Sequence, residues 1–148
     1  MAHLKQHIII RAPVEKVYAF ARDPLRWATF WVGLSDPEEL TGQGEVGTVV
    51  KHSYLMAGVR FPVTSRVLED YFGPEGGRWK GSIEGPLAGK QTWTYTPQAD
   101  DTEVAVDIEY TVPGSALGKI ANRLIIEHMQ ERALEQTLEN LKMLCEAE

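Results

Sequence analysis

The residues best suited to chemistry in this sequence are a few histidines set among many aromatics. His128 stands out. Counting about 100° per residue from Leu117 along a C-terminal helix, it falls in the stripe of Leu117, Ala121 and Leu124. An imidazole there would face a sheet. It could bond a ligand carbonyl or hydroxyl, serve as general acid or base, or sit as a satisfied buried histidine. His52 and Tyr54 alternate onto one face of a strand, where they could supply polar contacts in an apolar pocket. The bland alternative is a core tyrosine beside a histidine near the sheet edge. Trp79, Trp93, Tyr95 and Tyr110 occupy the same inner face on other strands, and Trp27, Phe30 and Trp31 share one side of a short helix. Together they form either the wall of a pocket for a flat or lipid-like ligand or an ordinary aromatic core. The expected ligand-facing set is therefore Trp27, Trp31, His52, Tyr54, Trp79, Trp93, Tyr95, Tyr110, Leu124 and His128.

Other motifs carry less. His3 and His7 lie on one strand face about 13 Å apart, too far to share a metal. His128 and Glu131 have helical spacing but lack a third ligand, so no metal site is expected. Gly42-Gln43-Gly44-Glu45-Val46-Gly47 matches a dinucleotide fingerprint letter for letter. Those glycines must open a helix, and Thr48-Val49-Val50 is strand chemistry, so the segment reads as a turn. The sequence has no nucleophile elbow, phosphate loop or zinc-protease helix. Cys145 lies on an apolar stripe near the end, unsuited to a nucleophile. No cofactor is expected.

These side chains need elements to hold them. Ile8-Ile9-Ile10 ends a first strand over residues 2–11. After Ala12-Pro13, Val14, Val17, Tyr18 and Ala21 repeat at helical spacing. Asp23-Pro24 starts a second short helix, with Asp23 as N-cap, and Gly33 ends it. Five strands are expected at Thr48–Leu55, Arg60–Tyr71, Arg78–Glu84, Gln91–Thr96 and Glu103–Val112, with a short one near Glu38–Thr41. Tight Gly/Pro/Asp breaks between them fit antiparallel hairpins. Their alternation gives one apolar face and one wet face. After Pro113-Gly114-Ser115, residues 115–146 read as one helix of about 45 Å. Leu117, Ile120, Ala121, Leu124 and Ile125 form its early stripe, and Leu134, Leu138, Leu141 and Cys145 its later one. The sheet's apolar face and the helix's stripe must bury each other.

Length and composition agree. The chain has 148 residues and 43% hydrophobic content, which fits one α+β domain spanning 1–148. The net charge of −6 argues against a nucleic-acid partner, which needs clustered Lys and Arg. A single cysteine excludes an intrachain disulfide. The apolar runs are too short for a membrane helix, and the N-terminus lacks the pattern of a signal peptide, so a cytoplasmic protein is expected. Monomer and homodimer both remain open.

The order of elements resembles the START-like helix-grip superfamily, in its SRPBCC group, and is most similar to the branch of polyketide cyclases/dehydrases and lipid transport. The resemblance spans essentially the whole chain. It is carried by the segment from Ile8 to Phe20 with Asp23-Pro24 and Trp27, by Gly44-Glu45-Val46-Gly47-Thr48 leading into a strand, and by Val112-Pro113-Gly114 leading into the long helix. It implies a curved sheet wrapped around that helix, with an apolar small molecule between them. The family hosts carriers, receptors, cyclases and dehydratases and shares no catalytic set. The preferred reading is a carrier or sensor of a hydrophobic compound such as a lipid or polyketide. One alternative is a cyclase or dehydratase using His128 or His52 as acid/base. Another is a protein-interaction module presenting Trp27, Phe30 and Trp31 as an exposed patch.

Overall fold

A computed structural model of the chain describes residues 2–111 and 123–147. Strand β1 (Ala2–Ile10) is followed by helices α1 (Val14–Ala21) and α2 (Trp27–Phe30). Strands β2 (Glu39–Thr41), β3 (Val49–Met56), β4 (Val59–Gly73), β5 (Gly76–Glu84), β6 (Ala88–Gln98) and β7 (Asp101–Thr111) come next, and helix α3 (Arg123–Glu146) follows. The strands form one open seven-stranded sheet in the order β1-β7-β6-β5-β4-β3-β2. Every neighbouring pair is antiparallel. This is the helix-grip architecture expected from the sequence. The first part of the anticipated long helix, with Leu117, Ile120 and Ala121, lies outside the described residues, as does the Pro113–Ser115 break.

Local sequence explains the turns. Ala57 and Gly58 both take positive φ (51° and 81°) between the paired residues Met56 and Val59. That is the two-residue turn whose twist suits a hairpin, and glycine fills one of its left-handed positions without strain. A register shift between Val67 and Glu69 puts an irregularity into the β4–β5 ladder, which bends the sheet. The second short helix differs from expectation. It begins at Trp27 after Arg26, and Asp23 instead accepts the Leu25 N–H at 3.0 Å, holding the turn that precedes the helix.

The inner sheet face follows the alternation. Val50, His52, Tyr54 and Met56 on β3 are buried, as are Phe61, Val63, Ser65 and Val67 on β4. Leu134, Leu138, Leu141 and Cys145 of α3, the later stripe read from the sequence, are buried in the same core. Each fully buried leucine contributes about 1.5–3 kcal/mol relative to exposure.

Polar clasps fix the helices on the sheet. Arg22 forks onto Asp70 of β4 at 3.0 and 2.7 Å, and the Tyr18 hydroxyl donates to the same carboxylate at 2.5 Å. Burial raises the Asp70 pKa, but the Arg22 and Tyr18 hydrogen bonds outweigh it, so the carboxyl titrates below its usual range. Thr137 of α3 accepts the Val32 N–H at 3.1 Å, and Asn140 donates to the Phe30 carbonyl at 3.2 Å. These bonds hold α2 and its following turn against α3, where two tryptophans must be placed.

Candidate functional site: a tryptophan-lined cavity under the helix

The sheet, α2 and the first half of α3 line a cavity. It measures about 80 Å³ to the centres of water-sized spheres. A water needs about 10–15 Å³ on that measure, so the space suits roughly half a dozen waters or one small ring system. Its wall takes Trp27, Phe30, Trp31 and Leu34 from α2 and the loop beyond it, and His52, Tyr54 and Met56 from β3. Ser65, Trp79 and Ile83 come from β4 and β5, Gln91, Trp93 and Tyr95 from β6, and Ile108 and Tyr110 from β7. Leu4 of β1, Ala21 of α1, residues 87–90, Glu109 of β7 and Gln130 and Leu134 of α3 complete it. All four tryptophans of the chain are in this wall.

The aromatics pack on one another in a fixed geometry. Trp27 meets Trp79 edge-on, with ring centroids 5.6 Å apart and planes at 78°. Trp31 meets Trp93 at 5.9 Å and 66°, and Trp93 stacks beside Tyr95 at 6.4 Å. Edge-to-face and offset pairs of this kind are the favoured ones, each worth about 0.5–1.5 kcal/mol beyond burial. Trp79 lies along its own strand over Gly81. A Cβ at Gly81 would stand 2.3 Å from the far edge of the indole, so only glycine leaves the ring its place.

The polar atoms in the wall are sparse and mostly committed. His52, 4% exposed, bonds the Ser65 hydroxyl through Nε2 at 2.7 Å. Burial pulls its pKa down to about 4, so at neutral pH it is an uncharged imidazole. Tyr54 accepts the Gln130 side-chain amide at 2.9 Å, which ties β3 to α3 across the cavity. Burial pushes the Tyr54 hydroxyl pKa up against the opposing effect of Gln130, and burial likewise raises Tyr95 well above its usual value. Both phenols therefore keep their protons. Trp27 donates its indole N–H to the Ala21 carbonyl at 3.0 Å, and Trp93 donates to Gln91 Oε1 at 2.7 Å. Trp79 is 7% exposed and its Nε1 meets no acceptor in the described protein.

Eight of the ten residues expected to face a ligand line this cavity: Trp27, Trp31, His52, Tyr54, Trp79, Trp93, Tyr95 and Tyr110. Leu124 and His128 do not. Leu124 is 75% exposed, His128 is exposed as well, and neither lies in the wall. Ile125, expected on the same stripe, is 55% exposed. The error is one of helical phase. His128 stands six residues before the buried Leu134, so it points about 120° away from it around the axis. The helix instead turns Ile126, Gln130 and Leu134 inward, four residues apart. Counting back from Leu134 by fours would have found Gln130. Ser65 could also have been found, as the one polar residue among Phe61, Val63, Ser65 and Val67 on the inward face of β4. The Trp27, Phe30 and Trp31 group is not an exposed patch, because Trp27 and Phe30 are buried and Trp31 is half-buried in the cavity wall. The glycine-rich Gly42–Gly47 segment is a turn, with Gly44 N–H donating to Thr48 Oγ1 at 3.0 Å. His3 and His7 pair with Asp107 and Glu103 on the outer face. Among the described residues no cluster of metal-ligating side chains occurs, and no helix is long and apolar enough to cross a membrane.

A sheet gripping one helix over an aromatic cavity defines the helix-grip fold. Solved structures share it. TTHA0849 from Thermus thermophilus superposes with a TM-score of 0.77 at 18% identity over 97% of both chains. The Zhui aromatase/cyclase from Streptomyces sp. R1128 gives 0.73 at 19% identity, over 98% of this chain and 93% of that one. A norcoclaurine synthase point mutant from Thalictrum, solved with a transition-state analogue, gives 0.65 at 15% identity, over 97% and 93%. No curated protein matches the chain in sequence. The sequence model of the polyketide cyclase / dehydrase and lipid transport family matches residues 1–146, and the chain belongs to that family.

Proposed function

We propose that the protein binds a hydrophobic small molecule in the cavity between the sheet and α3, as a carrier or sensor. The observation that carries this reading is the wall itself. All four tryptophans converge on one cavity, with few polar atoms among them. Burial of ligand surface there is worth about 25 cal/mol per Å², before ordering costs. The family and the aromatase/cyclase neighbour support a hydrophobic ligand or a cyclase role. Of the two, binding fits the polar groups better. With His128 outside the cavity, acid–base chemistry would rest on His52. A pKa of about 4 makes His52 a weak base at neutral pH, whereas an efficient general base titrates near its working pH.

Because every tryptophan lines the cavity, intrinsic fluorescence reports its occupancy. Titration with 2-acetylnaphthalene, checked by native mass spectrometry, is expected to show saturable quenching and one bound molecule per chain. Non-saturable quenching with an unliganded mass would defeat the binding reading. The cyclase reading predicts instead that the protein turns over a β-keto aromatic precursor, and that His52→Gln abolishes turnover while binding persists.

A further inference from the structure

Helix α3 turns one side to the core and the other to solvent. Ile126, Leu134, Leu138 and Leu141 are buried, and at about 100° per residue the line opposite them runs through Ile125, Arg132, Glu139 and Met143. All four are exposed, Ile125 by 55% and Met143 by 63%. Met129, exposed as well, lies beside the same line. Apolar side chains therefore stand towards both ends of a solvent-facing strip about 27 Å long, with charges between them. Among the described residues Arg132 and Glu135 form no ion pair, although both are exposed and three residues apart on one helix.

This strip is complementary to itself when reversed. A second α3 laid antiparallel, about a two-fold axis passing between Ala133 and Leu134, brings Arg132 of each copy opposite Glu135 of the other, twice over. The same operation sets Ile125 of each copy beside Met143 of the other, so apolar meets apolar at both ends. A parallel pairing in register would put Arg132 on Arg132 and Glu135 on Glu135, and like charges set together are repulsive. A membrane suits the strip less well. Glu131, Glu135 and Glu139 are all exposed along it, and carboxylates are repelled by anionic lipid surfaces. A strip about 27 Å long buries only a few hundred Å² per copy, against roughly 800 Å² in a standard interface, so the contact is weak and reversible.

We propose that the outer face of α3 is a self-association surface, through which two copies of the chain form an antiparallel two-fold dimer held by reciprocal Arg132–Glu135 ion pairs. The surface is separate from the cavity, whose wall includes none of Ile125, Arg132, Glu135 or Met143. Sedimentation velocity on the full chain, from about 5 to 500 µM, is expected to show monomer at the low end and a growing dimer fraction, as a small interface requires. Arg132→Glu and Glu135→Arg, each alone, set like charges opposite each other and are expected to weaken the dimer at least about tenfold. Both positions are exposed, so the fold survives either change, and circular dichroism verifies it. Mixing the two variants places carboxylate opposite guanidinium again at both sites. The mixture is therefore expected to recover the wild-type dimer fraction, as is the double variant Arg132→Glu/Glu135→Arg. A wild type that stays monomeric across the whole range would overturn the proposal. So would a dimer that either single variant leaves intact, or single variants that remain monomeric when mixed.

Discussion

His52 shows how placement changes what a side chain can do. Its alternation with Tyr54 on β3 was legible in the sequence, because a strand's period of two leaves little freedom. Its charge state was not, since that depends on how completely the neighbouring Trp27 and the rest of the wall exclude water. With a folded pKa of about 4 against 6.5 in the open chain, the unfolded state binds a proton that the folded state refuses. The stability this contributes is fully present above pH 6.5 and is lost as pH falls towards 4. Wild type is therefore expected to lose about 2 kcal/mol more than His52→Gln between pH 7 and pH 5. Urea unfolding of both proteins at the two pH values checks this, and parallel losses would show that His52 remains hydrated. Gly81 makes a second case. Nothing in the sequence ties it to Trp79, because the direction of an indole is a rotamer choice made only by the folded wall. With a new Cβ 2.3 Å from the ring, Gly81→Ala must displace Trp79. The expected cost is about 1–3 kcal/mol, measured by denaturant midpoint, together with an altered tryptophan emission maximum.

At the scale of elements, α3 divides into a part the sequence read correctly and a part it did not. Leu134, Leu138, Leu141 and Cys145 recur at helical spacing and are buried. Around Leu124 and Ile125 apolar residues occur on more than one side of the helix, so composition alone did not choose the inward face. The choice is made by the later stripe, which sets the rotation of the whole rod, and by specific bonds to the rest of the fold. Thr137 is one of these. Its hydroxyl donates to the Ala133 carbonyl at 2.8 Å and accepts the Val32 N–H at 3.1 Å. A threonine on an apolar stripe reads as a tolerated intruder until its partner on the turn after α2 is seen. Valine has the same shape but no acceptor, so Thr137→Val would leave the Val32 N–H without its partner. A loss of about 1–3 kcal/mol is expected, with faster hydrogen exchange at the Val32 amide. A variant as stable as wild type, with Val32 exchange unchanged, would mean that the turn after α2 is held by Asn140 and packing instead.

For the whole molecule, core and cavity are one structure divided by a few side chains. The aromatic inner face was readable from strand alternation, but whether it closed on itself or left a space was not. The volume depends on where α3 rests, a matter of tenths of an ångström over many contacts. Leu134 stands on that boundary, since it is 1% exposed in the core and also forms part of the cavity wall. Truncating it should act on both at once. Leu134→Ala removes buried methyl groups and leaves a larger void, which costs about 2–5 kcal/mol. The void adjoins the existing cavity, so a ligand can fill it. The expected pattern is a lower urea midpoint without ligand and tighter binding of a three-ring aromatic ketone than in wild type. A ligand at 100 times its Kd restores about 2.7 kcal/mol, so the variant's deficit should shrink measurably when the three-ring compound is present. If it shrinks equally with a two-ring compound, the new space is not continuous with the old one. If neither compound narrows the deficit, the sheet has closed onto the shortened side chain, and α3 holds the cavity open less firmly than its bonds to Val32 and Phe30 imply.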